Sequence, residues 1–474
     1  MVVRCPHSPA AFASPLSPSI STPLIRASQL LALLLTGAAY WGLAYDTSRA
    51  NFGQLIGLFA VAGAAYVWLL HTRLPLRWGL AAALVFRLLW LPATPALSDD
   101  FYRFRWDGLL AAHGLNPFAY TPRQVLRGGE SARPTAGSDS VVRTIPVLRD
   151  LFPHLNSPDY FSVYPPVCQA LYQVAATAYP ASQTGFLVVV RVALLLADAG
   201  AAALLLWLLP AAGWPARRTL SYLLHPLVVV EVAGNVHAEG LVVFFLLLTG
   251  ALLLRRQTRL AAGALALAVA TKLLPLLALP LLAKRLGPRR FRWFGAVLVG
   301  SVGLLFLPYM SWSLLLHIGL SLDLYFQSFE FNASVFYLLL AAGKWLTGHD
   351  LVGGLGPLLG LGAAYLAFRL ARYEARPTLA SLPQMLLLTL SGYFALATIV
   401  HPWYLVPLVA LSCFSPLRYA RAWAGLVVLS YSAYRTTAYT ESGILITLEY
   451  AGVLAWAAWE IYGAGQLGSR GGPE

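Results

Sequence analysis

The stretch Ser98-Asp-Asp-Phe-Tyr-Arg-Phe-Arg-Trp-Asp-Gly108 follows directly on an apolar segment that is long enough to enter a bilayer. It places two adjacent carboxylates, Asp99 and Asp100, at a predicted membrane edge, and aromatic and arginine residues follow them. Ionised groups are costly at that depth and are commonly retained for function. The acidic pair therefore marks this stretch as a candidate functional segment.

The composition of the chain is that of a polytopic membrane protein. The 474 residues are 58% hydrophobic and 11% charged, whereas charged residues make up about a quarter of a soluble domain. The formal charge of +14 comes mainly from basic residues in short loops between apolar segments, which is a positive-inside pattern and argues against nucleic-acid binding. The three cysteines form no disulfide or metal-binding pattern. The lipid bilayer is the partner that this composition predicts.

The apolar segments predict an all-α fold, a transmembrane helical bundle of about 12–14 spans with a large extracytoplasmic loop. Arginines in the short loops place both termini in the cytoplasm and the large loop outside. The predicted regions are a disordered cytoplasmic tail (1–26), three N-terminal transmembrane helices (27–92), the extracytoplasmic loop (93–183), a transmembrane core (184–308), a second extracytoplasmic loop (309–350), C-terminal transmembrane helices (351–462) and a cytoplasmic tail (463–474).

Residues 260–283 are predicted to form a broken hairpin. A single full span here would place the basic cluster at 284–292 on the outer side, against the positive-inside rule. Two half-length helices that turn near Thr271 and Lys272 keep the cluster inside. Broken helices are tolerated in membranes where they line a cavity, so the hairpin also predicts a cavity.

The extracytoplasmic loop is predicted to hold two helices, at 99–113 and 160–178, with an irregular segment rich in Pro, Gly and Ser between them at 123–158. Phe101, Phe104 and Gly108 share one face of the first helix, which would allow it to lie flat in the membrane interface.

Polar residues near membrane depth are predicted to gather on the outer side. They come from separate parts of the chain: Arg87, Asp99, Asp100, Glu231, Asn235, His237, Glu239, Lys272, His401 and Tyr404. Acids, bases and imidazoles that converge on one membrane face are what an active site at that face requires.

Each member of this set has a simpler interpretation as well. Ser98 and the acidic pair are also a helix start, with Ser98 as the cap. A carboxylate at that position can take the proton from an attacking sugar hydroxyl, while its neighbour holds it or a divalent ion. Arg103, Arg105 and Asp107 are predicted either to form the wet face of an interfacial helix or, for Arg103, to contact substrate.

The predicted cations have two interpretations. Lys272 and Arg87 each either extend their charged ends toward the interface or provide the counter-charge for a lipid phosphate. Arg191 and Asp198, seven residues apart in one span, are predicted to be structural charges that pair with each other or with neighbouring helices.

The histidine segments are candidate substrate-binding edges. His237 and Glu239, with Asn235 close by, have a spacing that matches no zinc signature. His401-Pro-Trp-Tyr404 is either an interfacial anchor or a ligand-binding segment. Tyr164, which two prolines follow, is predicted to fix a turn, and Asn332-Ala-Ser334 matches a glycosylation sequon.

The pattern as a whole resembles the GT-C superfamily of integral-membrane glycosyltransferases, particularly the bacterial polyprenyl-phosphate-mannose-dependent mannosyltransferases. The resemblance rests on the 98–108 stretch together with Asn116-Pro-Phe118, Tyr164-Pro-Pro166, His225-Pro226, Gly234-Asn-Val-His-Ala-Glu239, Thr271-Lys272 and His401-Pro-Trp-Tyr404. In this chain the acidic loop follows the third predicted span, whereas in many members of the superfamily it follows the first.

The resemblance implies a hexosyltransferase, with mannose as the expected sugar, that works at the extracytoplasmic face of a bacterial inner membrane. It implies Asp99 or Asp100 as the general base on the hydroxyl of a glycan or lipid acceptor. Lys272, His401 or Arg87 would bind the phosphate of the polyprenyl-phosphate donor, with Arg103, Tyr164, Asn235, His237, Glu239 and Tyr404 as further substrate contacts. A divalent cation (Mg or Mn), if the enzyme uses one, would be held by Asp99, Asp100, His237 and Glu239.

Two other classes of protein remain open at this stage. A transporter or flippase of a lipid-linked sugar needs charged groups that can be reached from both sides of the membrane and often has paired repeats. A non-catalytic scaffold of an envelope-synthesis complex would tolerate loss of the acidic pair. The predicted clustering of polar groups on one side favours the enzyme.

Overall fold

Helices account for nearly all of the regular structure in the computed structural model, which describes residues 22–127, 145–312, 314, 316, 317, 319, 329–349, 352–436 and 439–469. Within these residues the only β-type pairing is one isolated parallel bridge between Phe331 and Ile399. The predicted all-α fold is therefore confirmed.

The longer helices alternate in places with short 3₁₀ and π turns. They are Thr22–Trp41, Phe52–His71, Leu76–Leu89, Asp100–Ala112, Pro166–Ala178, Gln183–Ala211, Glu239–Leu254, Thr258–Val269, Leu279–Phe306, Val335–Thr347, Val352–Tyr373, Leu382–Leu396 and Gly443–Ser469. Shorter helices are Pro122–Leu126, Val147–Leu151, Thr219–Leu223, Pro226–Val228, Val406–Ser412 and Tyr419–Leu426. A π-helix at Val229–Gly234 directly follows the short helix Pro226–Val228.

Six helices of the described part are long and apolar enough to cross a membrane, and a bent pair brings the number to seven. They mark the chain as an integral membrane protein with a polytopic helical bundle. The number is below the 12–14 expected because several apolar segments form helices of 10–17 residues, among them Thr258–Val269, Leu382–Leu396 and Pro402–Ser412. A bilayer core of about 30 Å needs roughly 20 helical residues, so hydropathy alone overestimates the number of full-length helices.

Two breaks interrupt the apolar helices of the core. Pro226–Gly234 and Glu239–Leu254 form a bent pair whose arms meet at an angle of 110°. The second break separates Thr258–Val269 from Leu274–Ala278 and includes Thr271 and Lys272, where the sequence predicts a turn. A further kink lies at Gly287, whose φ of 71° interrupts the long helix that follows.

The loop predicted at 93–183 contains the two predicted helices, the first loop helix (Asp100–Ala112) and the second loop helix (Pro166–Ala178). The prediction that the first loop helix lies flat in the membrane interface is wrong, because ten of its thirteen residues, from Phe101 to Ala111, are buried within the protein. The two helices pack closely: a Cβ on Gly108 would lie 2.4 Å from the carbonyl oxygen of Tyr172.

The ends of several predicted regions shift. The first helix begins at Thr22, within the segment predicted to be a disordered tail, and the last helix continues to Ser469, beyond the predicted start of the C-terminal tail. The rest of both tails lies outside the described residues. The predicted irregular segment at 123–158 contains short helices at Val147–Leu151 and Phe152–His154, and its part at 128–144 also lies outside the described residues.

Candidate functional site

His237 lies at the break in the bent pair, and its imidazole ring faces the first loop helix. Arg191 holds the end of the first arm, because its guanidinium donates to the carbonyls of Ala233 (2.7 Å) and Gly234 (2.9 Å). These carbonyls belong to the last turn of the arm, where no further helical N–H groups are available. The chain then passes through Val236, which has a φ of 59°, and His237 follows.

A buried carboxylate fixes the orientation of His237. Glu231 is fully buried, and its Oε2 lies 2.6 Å from His237 Nδ1 and accepts a hydrogen bond of 3.3 Å from the Asn235 amide. The opposite ring nitrogen, Nε2, lies 3.7 Å from Asp100 Oδ2. Protonated histidine can donate from both nitrogens; in this structure Nδ1 is at hydrogen-bond distance from Glu231, whereas Nε2 makes only the longer contact with Asp100. Asn235 therefore acts on His237 through Glu231, which it contacts inside the protein.

Asp100 occupies the first turn of the first loop helix. Its Oδ1 accepts a hydrogen bond of 2.9 Å from the exposed Asn156 amide, and Oδ2 faces His237. Burial alone would raise the pKa of the Asp100 carboxyl, but the His237 and Asn156 contacts outweigh it and lower that pKa below its usual value. About a fifth of the side chain, 20%, remains exposed. Asp100 is thus an ionised carboxylate that solvent or a ligand can reach.

Three aromatic rings lie in a column beside Asp100, and we call them the ring stack (His237, Trp403 and His401). The Trp403 ring is 3.9 Å from His237 and 4.4 Å from His401 between centroids, and both pairs are within 16° of parallel. His401 Nδ1 is 3.2 Å from the Tyr434 hydroxyl. Offset stacking of this kind is favourable and leaves each ring with one orientation.

Lys272 extends from the second break toward the same place. Its ammonium group forms an ion pair with Glu239 and lies 3.7 Å from the centroid of the Tyr404 ring, a cation–π contact. The Tyr404 ring in turn lies 5.3 Å from the His401 ring between centroids, so Lys272 is connected to the ring stack through Tyr404. Lys272 keeps 31% of its side chain exposed, whereas Glu239 keeps 5%. The five residues Asp100, His237, Glu239, Lys272 and His401 form the cluster that we call the Asp100 cluster.

Asp99 has a separate partner. Arg49, at the start of the loop before the second helix, lies 2.5 Å from Asp99 Oδ2, and the two side chains keep 31% and 24% of their surface exposed. Arg49, Asn156 and Trp403 are contact residues of the site that the sequence does not predict. Arg49 and Asn156 lie in polar loops with no motif, and Trp403 is indistinguishable by sequence from an interfacial anchor.

Arg87 does not join the Asp100 cluster in this structure. Its Nε lies 2.7 Å from Asp198 Oδ2, with the two side chains 4% and 2% exposed, and its Nη1 donates to the carbonyls of Ala83 and Leu223. Tyr222 donates to the other Asp198 oxygen. Asp198 therefore has the predicted structural role, with Arg87 as its partner. Because Arg87 is engaged in this buried pair, we omit it from the proposed phosphate site.

The first loop helix also buries charges that the sequence placed on a wet face. Arg103 Nε lies 2.9 Å from Asp107, and Arg103 also donates to the carbonyls of Ser157 and Tyr160. Asp107 is fully buried and accepts further hydrogen bonds from Ser162 and Gln169. The prediction of a solvated face is therefore wrong: these groups join the loop helices to the intervening turn.

The remaining predicted residues surround the Asp100 cluster at different distances. The ring of Tyr164 packs edge-on against Phe104 at 4.8 Å, and Phe104 in turn lies 6.5 Å from His237. Tyr164 is therefore one ring removed from His237. Tyr404 contacts the cluster directly through Lys272 and His401, with a centroid distance of 5.3 Å to His401.

The set predicted to hold a divalent cation does not assemble. Asp99 pairs with Arg49, Glu239 with Lys272, and Asp100 with His237, so each carboxylate already faces a cationic partner. Among the described residues no group of three His, Cys, Asp or Glu side chains has the arrangement of a metal site. These residues therefore do not fit a resident Mg or Mn ion.

Comparison with known proteins gives no match: no family model, no curated protein and no solved structure is similar to this chain at a significant level.

Proposed function

We propose that this chain is a membrane glycosyltransferase that transfers a hexose from a polyprenyl-phosphate donor to a hydroxyl of a glycan or lipid acceptor. The observation that supports it best is the environment of Asp100. A partly exposed, ionised carboxylate stands at the start of a buried helix, held by Asn156 and facing His237. Lys272 is connected to it through Tyr404 and the ring stack. Sugar transfer from a phosphate requires a base for the acceptor hydroxyl and a cation for the donor phosphate.

In the proposed step the acceptor hydroxyl oxygen forms a bond to the anomeric carbon of the donor sugar. The hydroxyl proton passes to the Asp100 carboxylate, which is ionised and therefore free of a proton of its own. The bond between the anomeric carbon and the phosphate oxygen breaks, and its electron pair leaves on the polyprenyl phosphate. His237 holds Asp100 in place and offsets part of its charge before the proton arrives.

Lys272 is the group proposed to receive the donor phosphate. Its ammonium group now pairs with Glu239 and lies over Tyr404, and its side chain is the more exposed partner of that pair. A phosphate oxygen that approached Lys272 would form a charge-assisted hydrogen bond. The same contact would stabilise the negative charge that develops on the leaving phosphate.

The choice of a lipid-linked donor rests on the resemblance to GT-C enzymes and on the membrane setting. The sequence contains no Gly-x-x-x-x-Gly-Lys phosphate loop and no soluble nucleotide-binding domain. Mannose is the donor sugar that the resemblance favours.

The direct test is transfer by the purified protein in lipid nanodiscs. Polyprenyl phosphates that carry labelled mannose, glucose or arabinose would each be supplied as donor. Each donor would be combined with a panel of glycan and lipid acceptors. We expect labelled product and stoichiometric polyprenyl phosphate with one hexose donor, mannose first. Absence of transfer with every donor, together with movement of an intact lipid-linked sugar across the bilayer, would favour the flippase instead.

The proposed orientation places the Asp100 cluster on the extracytoplasmic side of a bacterial inner membrane. Asp159 keeps 57% of its side chain exposed and lies in the extracytoplasmic loop, and Arg289 is exposed in the basic segment predicted to be inside. A Cys5→Ser background leaves only the buried Cys168 and Cys413. A membrane-impermeant thiol reagent should then label Asp159→Cys in intact cells and Arg289→Cys only after permeabilisation; the reverse pattern would overturn the orientation.

A further inference from the structure

A buried carboxylate, Glu449, lies in the last apolar helix. It is not part of the Asp100 cluster. Glu449 has no exposed surface, and its oxygens accept hydrogen bonds from the Asn332 amide (3.1 and 3.2 Å) and from the Trp423 indole (3.0 Å). Ionisable residues within apolar spans are costly, and they are usually retained for a specific contact. For Glu449 that contact is Asn332.

Asn332 is held through its backbone and its side-chain amide nitrogen. It is fully buried, with a φ of 48°, a left-handed conformation that asparagine tolerates better than most residues. Its backbone N–H donates to Glu441 (2.6 Å), and its carbonyl accepts from the Tyr450 hydroxyl (2.7 Å). The side-chain amide also reaches the Val400 carbonyl at 3.4 Å. The sequon that begins at this residue is therefore packed into the protein and not displayed for glycosylation.

The segment that Asn332 fixes carries one end of the ring stack. Phe331 N–H donates to the Thr398 carbonyl (3.0 Å), and Val400 N–H donates to the Phe331 carbonyl (2.8 Å). His401 follows Val400 directly, and its ring lies 4.6 Å from the Phe331 ring. The backbone that positions His401 thus depends on the residue next to Asn332.

We propose that Asn332 and Glu449 are positioning residues that hold the ring stack against Asp100. The path consists of direct contacts: Glu449 binds Asn332, the backbone at Phe331 pairs with residues 398–400, His401 stacks on Trp403, and Trp403 stacks on His237, which faces Asp100. The inference rests on the proposed function for its catalytic consequence. The placement of the rings can be tested without any activity.

Two substitutions remove the contact with limited side effects. Asn332→Gly deletes the amide while it keeps a residue that adopts positive φ without strain. Glu449→Gln keeps the shape and one oxygen acceptor but replaces the second carboxyl oxygen with an amide NH2 group, and it serves if Asn332→Gly folds poorly. The matched control is Glu460→Gln. Glu460 lies in the same helix and accepts from the backbone N–H groups of Arg418 and Tyr419, which the path does not use.

The measurement combines ring NMR with steady-state kinetics. In nanodiscs with ring-labelled histidine, signals of His237 and His401, assigned with His237→Gln and His401→Gln, should show the upfield shifts that stacking on an indole produces. We expect Asn332→Gly and Glu449→Gln to displace these signals and to lower kcat by about 10–100-fold with the donor KM changed less than about threefold. Glu460→Gln should leave both readouts near wild type.

The outcomes separate the two proposals. Histidine signals that stay at their wild-type positions in both variants would overturn the inference, whatever the activity. Displaced signals with unchanged kcat would also overturn it, because the ring positions would then not matter to catalysis. A purely structural role predicts lower thermal stability with wild-type histidine signals in the folded fraction. A wild-type protein that transfers no sugar contradicts the proposed function, while the NMR result still tests the ring placement.

Discussion

Two of the places where the chain buries charged groups have different surroundings. The Arg87–Asp198 pair is closed: both side chains are at most 4% exposed, and carbonyls and the Tyr222 hydroxyl make further contacts with them. In the Asp100 cluster, by contrast, Asp100 and Lys272 keep 20% and 31% of their side chains exposed. Both places hold opposite charges, yet only the second has groups that a ligand can reach.

This difference separates charges that hold helices together from charges that can act. A closed buried pair is costly to break and offers nothing to a substrate. An open cluster that includes a low-pKa carboxylate retains capacity for a new partner, which is the property of a functional site. The contrast leads to four predictions about individual side chains, in order of the expected effect.

Removal of the Asp100 carboxylate should have the largest effect. Asp100→Ala should lower sugar transfer by about 1,000-fold, because a positioned general base contributes roughly 10²–10⁴-fold. Added formate should restore part of the activity, since a small carboxylate can enter the space left by the side chain. The control is Asp159→Ala, an exposed carboxylate of the same loop, which should stay near wild type. Equal loss in both variants would remove the distinction.

Loss of the Lys272 charge should have the next largest effect. Lys272→Met should lower kcat/KM for the polyprenyl-phosphate donor by about 100-fold, because a donor to the developing phosphate charge contributes roughly 10²–10³-fold. Lys344→Met, at an exposed lysine of the Val335–Thr347 helix, is the matched control. If both lysine variants kept wild-type donor kinetics, the phosphate site would lie elsewhere.

Disruption of the closed pair should change stability more than activity. Asp198→Asn leaves Arg87 buried without its charge partner, and breaking such a pair costs about 3–5 kcal/mol. Thermal unfolding in nanodiscs should therefore show a lower Tm, while transfer per folded molecule stays within about threefold of wild type. The double variant Arg87→Met/Asp198→Asn should recover part of the lost Tm. A large loss of transfer without any loss of stability would place Arg87 in the site after all.

The smallest effect is expected at Asp99. Its ion pair with Arg49 is partly exposed on both sides, and exposed ion pairs contribute about 0–1 kcal/mol and weaken with salt. Asp99→Asn should therefore change transfer by less than about threefold. Measurement of the wild type and the variant at low and high salt concentration should show that the difference shrinks as salt rises.

The sequence was sufficient to predict the main features of the fold. The charge and hydropathy patterns predict a polytopic all-α protein, two helices in the loop at 93–183, and a break near Thr271 and Lys272, and the structure has all of them. The burial of Arg103 and Asp107 was not predictable in the same way. Their charges indicate solvent, and only the partners supplied by Ser162 and Gln169 from the next segment make burial possible.

The candidate site was predictable in its chemistry and less so in its geometry. His237, Lys272 and His401 were identified because ionisable residues near apolar spans are unusual. In the structure His237 faces Asp100, and His401 and Lys272 are connected to His237 through Trp403 and Tyr404. The difference between Asp99 and Asp100 depends on Arg49 and Asn156, which come from distant loops without a motif. The pairing of Arg87 with Asp198 likewise depends on how two helices pack, which spacing along the chain does not determine.

The most direct test of the account compares the two adjacent carboxylates in one assay. Asp99→Asn and Asp100→Asn would be purified in the same nanodiscs, shown by their unfolding curves to be equally folded, and assayed for single-turnover transfer from polyprenyl-phosphate mannose. The account predicts that Asp99→Asn retains most of the wild-type rate and that Asp100→Asn is slower by about 1,000-fold. Wild-type transfer by Asp100→Asn would contradict it.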